Sequence, residues 1–162
     1  EALDKMVGLA STGTARPNSK SDLDGETKND NKFIVRYQYA PLAVSNNSRE
    51  FCRKMVAAKK IYRKEDVLSM GKKSVNAGWG KKGANTYSIW KFKGGGNCHH
   101  FWLRKTYMAK EGIKPDVNSP KTKPVYKQQR ENEGIKPPSK NKEPALVSIK
   151  PKDMPNKGFV NK

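Results

Sequence analysis

The chain has 162 residues, of which 34% are apolar, and a formal net charge of +19. Such a composition supports one modest core and leaves part of the chain unable to bury enough surface to fold alone. No apolar run approaches the roughly 18 residues of a membrane span, no secretory-signal pattern opens the chain, and two cysteines make no disulfide framework, so neither a membrane protein nor a disulfide scaffold is expected.

The first residue is Glu1, which reads as a processed chain or a piece of something longer. ALDKMVGLA reads as the end of a helix from a preceding domain. Residues 11–32, rich in Ser, Thr, Asn, Asp and Gly, read as a linker, so 1–32 form an N-terminal arm. Residues 1–31 have a net charge of −2, residues 32–110 of +15 and residues 111–162 of +6. The middle segment also holds twelve of the fourteen aromatic residues. Residues 33–110 are therefore both the only plausible core and the most basic region.

FIVRYQY predicts a strand over Phe33–Tyr39, with Phe33, Val35, Tyr37 and Tyr39 on one face and Ile34, Arg36 and Gln38 on the other. Asn47-Ser48-Arg49-Glu50 fits a helix N-cap followed by an acidic residue. The helix after it aligns Phe51, Cys52, Met55 and Val56. Arg63–Met70 predicts a second helix, stopped by Gly71. Residues 71–85, GKKSVNAGWGKKGAN, form a basic glycine-rich loop. Thr86–Phe92 reads as a second strand, Gly94–Gly96 as a tight turn, and Asn97 as the cap of a helix from Cys98 to about Lys110. The expected fold is a small α+β domain, anchored by Phe33, Tyr37, Phe51, Met55, Ile89, Trp90, Phe101 and Trp102.

Residues 111–162 hold eight of the ten prolines and two copies of EGIKP. A Lys/Pro tail of this kind is expected to be extended, mobile in isolation and wrapped on a neighbour.

Three chemistries suit the centre. Cys52, Cys98, His99 and His100 are thiol and imidazole ligands of the kind zinc takes. On a helix, however, neighbouring side chains diverge by about 100°, so only a strained turn lets two of the last three converge. The alternative is that the cysteines pack as small apolar groups. Cys52 near a helix N-terminus, with His99 or His100 as base, would suit cysteine catalysis, but acidic orienting residues are scarce. The glycine-rich loop lacks the order of a nucleotide-binding P-loop. Its Lys72, Lys73, Lys81, Lys82 and Trp79, with Arg104 and Lys105, suit non-specific contact with a nucleic-acid backbone.

NSREFCRKM, KKIYRKEDV and GGGNCHHFWLRK together resemble a module of tailed-phage structural proteins, the Mu F-like minor head or portal-associated group. VNAGWG and GANTYSIWKFKGGGNCHHFW also resemble virion proteins of crAss-like phages. The likeness covers about residues 33–107. Ser48, Arg49, Phe51 and Cys52 match its first segment, and Gly96, Asn97, Cys98, His100 and Trp102 its last. The chain departs from it in lacking a second cysteine shortly after Cys52 and in having histidine for the second late cysteine. The resemblance implies a virion part made in the host cytoplasm, not an enzyme. Its expected partners are portal or capsid proteins in a symmetric oligomer, and packaged DNA. The competing expectations are a free nucleic-acid-binding protein and, behind it, a small zinc or cysteine enzyme.

Overall fold

Alternating aromatic and β-branched residues make FIVRYQY a strand, and the computed structural model extends it to Lys32–Ala40, here β2. The structure describes residues 10–45, 47–135 and 149–160. ALDKMVGLA lies almost wholly outside them. In chain order the remaining elements are β1 (Gly25–Glu26), α1 (Glu50–Ala58), β3 (Ile61–Tyr62), α2 (Lys64–Met70), α3 (Ile89–Phe92), β4 (Phe101–Ala109), β5 (Thr122–Val125) and α4 (Lys127–Asn132). All strand pairings are antiparallel, giving one sheet of order β1-β2-β4-β5 with β3 also on β2. The fold is thus α+β, as expected.

Two elements differ in type from the sequence reading. The end of the expected strand Thr86–Phe92 is instead α3, whose first turn is closed by Lys91 N donating to Ser88 Oγ at 3.2 Å. The expected helix from Cys98 is instead β4. It pairs with β2 along its whole length, from Lys32 opposite Ala109 to Ala40 opposite Phe101. FWLRKTY is aromatic and β-branched enough to serve as a strand, and the ladder with β2 decides it. Asn97 caps no helix; it sits at φ 63°, in the left-handed region, just before the strand. The N-cap of α1 is Arg49, with no side-chain bond to the helix, while Ser48 Oγ accepts from Ser45 N.

The core lies on the Val35–Tyr37–Tyr39 face of β2. Phe51, Cys52, Met55 and Val56 of α1 cover it, with Tyr62, Val67, Met70, Tyr87, Ile89, Trp90 and Trp102. Its rings meet edge to face: Tyr37 on Trp90 at 4.7 Å, Tyr39 on Trp102 at 5.2 Å and on Phe51 at 5.7 Å between centroids. Of the expected anchors, Phe33 and Phe101 are only half-buried.

The other face of β2 is buried too, and the arm is the reason. Arg36 is 1% exposed. Its guanidinium donates to Pro17 O, Ser19 O and both carboxylate oxygens of Asp24. Ser11 N also donates to Val75 O, and Arg16 N to Asp66. The described part of the arm therefore lies on the domain.

The described tail also packs on the domain. Its β5 residues extend the sheet from β4, and Pro124 stands within that edge strand. Residues 149–159 fold back onto the turn before β4. There Asn97 N donates to Lys157 O, Lys152 N donates to Cys98 O, and Phe159 packs on Gly96.

Candidate metal centre

Two segments far apart in sequence build the site. The first is α1, whose apolar side faces β2 and so brings Cys52 to the hydroxyl end of Tyr39. The second is the turn from Lys93 to Asn97. Lys93, Gly95 and Asn97 all have positive φ, and this tight path delivers Cys98 against Cys52. Leaving the turn, the chain extends towards β4. In extended backbone, residues two apart share a side. Cys98 and His100 therefore point together into the interior, and His99 points out to solvent.

Cys52, Cys98 and His100 are each 3% exposed, and their ligand atoms lie within 4.8 Å of one another. The two sulfurs are 3.8 Å apart, and His100 Nδ1 is 3.9 Å from Cys98 Sγ. On the far side of the ring, His100 Nε2 is 3.1 Å from the carbonyl oxygen of Ala43. A carbonyl only accepts, so Nε2 carries the proton, and a neutral ring then presents the Nδ1 lone pair to the sulfurs. Tyr39 stacks on the His100 ring at 4.8 Å. Its hydroxyl oxygen is 3.3 Å from Cys52 Sγ and 3.4 Å from Cys98 Sγ.

Gly94 is what lets these groups close up. A Cβ there would stand 2.6 Å from Cys52 Sγ, 3.0 Å from Cys98 Sγ and 3.2 Å from the Tyr39 hydroxyl. The turn is clamped from outside by Arg49, whose guanidinium donates to Gly94 O at 3.0 Å and also to Gly96 O. Asn76 Nδ2 donates to Gly94 O as well.

The hydrogen bond with Cys52 pulls the Cys98 thiol well below its ordinary pKa, against burial, and the Tyr39 hydroxyl and the backbone N–H of His100 add to the pull. The same bond, with burial, pushes Cys52 up. Burial pushes the Tyr39 hydroxyl well above its usual range. Beside the thiol pair opens a cleft of about 520 Å³ reaching Ser45, Arg49, Asn97 and His99.

Of the four ligands expected from sequence, the fold brings together Cys52, Cys98 and His100, a buried cluster able to hold a metal ion. His99 is set apart by the strand period. Sequence reasoning missed Tyr39 as a neighbour of the thiols, although its place on the Tyr37 face of β2 was the available signal.

The residues expected to contact nucleic acid differ in exposure. Lys72, Lys73, Lys81 and Lys82 are exposed on the loop after α2, and Arg104 is exposed on β4. Lys105 is half-buried opposite Arg36. Trp79 is no free stacking platform: Arg49 lies 3.6 Å over its ring, and the ring packs on Gly95. Among the described residues, no helix is long and apolar enough to cross a membrane.

No protein-family model, curated protein or solved structure matches the chain.

Proposed function

We propose that the chain is a structural part of a tailed-phage particle, at the head or portal, in which zinc held by Cys52, Cys98 and His100 fastens two distant segments into one unit. One observation carries the reading. Seven of the nine residues behind the resemblance, Arg49, Phe51 and Cys52 on one side and Gly96, Cys98, His100 and Trp102 on the other, meet in a single clamp, with Ser48 and Asn97 outside it. The motif thus serves to hold the fold. Two thiolates each about 2.3 Å from a tetrahedral zinc stand about 3.8 Å apart, and these sulfurs have that separation. The His100 Nε2–H to Ala43 O bond is the kind of outer support that fixes a metal-bound imidazole. A basic exterior suits contact with packaged DNA, and neighbouring virion proteins would supply the rest of the surroundings.

Mass spectrometry of purified particles tests the assignment. Peptides of this chain are expected at constant stoichiometry to the major head protein. Their recovery only from the particle-free lysate would overturn it and favour a free nucleic-acid-binding protein. Elemental analysis of the purified chain tests the metal: one zinc per chain is expected, lost with Cys98→Ala.

A further inference from the structure

Three protein ligands leave a tetrahedral zinc one short, and closed structural sites have four. Resting on the zinc reading above, we propose that the phenolate oxygen of Tyr39 is the fourth ligand, making a closed Cys52–Cys98–His100–Tyr39 centre.

The geometry carries this. An oxygen ligand about 2.0 Å from a tetrahedral zinc lies about 3.5 Å from each thiolate that is about 2.3 Å from the ion. Tyr39 Oη is 3.3 Å from one sulfur and 3.4 Å from the other. The hydroxyl thus stands nearly equidistant from both thiols, as a shared ligand position requires. Its ring is held there from three sides, by Phe51, Trp102 and the parallel face of His100. Tyr39 is 1% exposed. Apart from the two sulfurs, its hydroxyl has no other hydrogen-bond partner among the described residues. The missing Cβ of Gly94 faces the same three atoms, the two sulfurs and the phenol oxygen. That glycine keeps side-chain atoms out of the space on which they converge.

Binding is balanced by proton loss. Each thiol still protonated gives up its proton to solvent when its sulfur bonds the metal, and the phenol gives up one more as its oxygen does. With its proton on Nε2, His100 binds through the Nδ1 lone pair and loses none.

The test uses the full chain, reduced and freed of metal, titrated with cobalt(II) and then zinc(II). Three readouts are followed: the tetrahedral cobalt spectrum, the ultraviolet difference band of tyrosinate, and protons released in weak buffer. The wild-type chain is expected to show a tyrosinate band that rises with metal and saturates at one equivalent. It should also release one proton more per ion than Tyr39→Phe. That variant should bind zinc at least tenfold more weakly, with water or buffer in the vacated position. Metal binding with no tyrosinate band and no proton difference would overturn the role of Tyr39 and leave the three-ligand zinc site standing. No binding of either metal would overturn both. If Tyr39→Phe fails to fold, the tyrosinate band of the wild-type chain alone decides.

Discussion

Lys93 is a lysine almost without solvent. It follows α3, is fully buried, and its ammonium donates to the carbonyls of Lys91 and Ile149, both at 3.0 Å. Burial lowers its pKa from 10.5 to about 7. Between those values the unfolded chain holds a proton that the folded chain has released. The contribution of Lys93 to stability must therefore rise with pH across that window, by at most about 1.4 kcal/mol per unit, and is absent below about pH 7. Urea denaturation of the wild-type chain from about pH 7 to about pH 9 should show this rise, before phenols begin to ionise. Lys93→Met should show a shallower rise over the same range, the part that remains coming from Cys98, whose thiol the fold holds below its ordinary pKa. A parallel slope in the variant would mean that other groups govern it.

Among the elements, β2 gathers the fold, and besides the short β1–β2 ladder the arm is held to it by the buried guanidinium of Arg36. Arg36→Met leaves Asp24 without its cation and strips the donors from Pro17 O and Ser19 O. The expected loss is about 3 kcal/mol, with proteolytic cleavage between Ala15 and Asp24 becoming rapid while β2–β4 stays protected. Equal cleavage rates in both proteins would show that the arm is held elsewhere. Arg36 itself was legible as an outward residue of β2, but its buried partners were not. The arm that covers it has no period to read. β2, α1 and α2 were legible because their apolar residues recur at 2.0 or 3.6 and their stops are Pro41 and Gly71. The exchange of type at α3 and β4 has a physical cause. CHHFWLRKTYMAK fits either period, and the arbiter is a pairing partner more than sixty residues upstream. That error also hid the site. On a helix Cys98 and His100 diverge, and in extended backbone they align, so the reading that allowed two of the three ligands was decided by the tight turn at Lys93–Asn97 and the extended approach to β4.

At the scale of the molecule, the acidic arm and the described tail settle on the basic centre, and Asp24 on Arg36 shows part of the charge answered within the chain. Much of the excess remains outside. Binding to double-stranded DNA should weaken steeply with salt, and replacing Lys72, Lys73, Lys81 and Lys82 by Gln should reduce the slope of log affinity against log salt by about 1 for each lysine that meets a phosphate. Filter binding at several ionic strengths measures it. An unchanged slope would remove that loop from the contact.

The outer border of the sheet sets how this molecule can be joined to others. β5 is four residues long, and at Pro124 it has no amide proton to offer a further strand. Lys121 and Lys123 stand exposed beside that proline. Another subunit arriving there finds ammonium groups and a pyrrolidine ring in place of a backbone template, so the sheet cannot propagate from copy to copy. An acidic surface that met this border would be held by those two ammonium groups, and a rise in ionic strength should loosen such a contact reversibly without unravelling the fold.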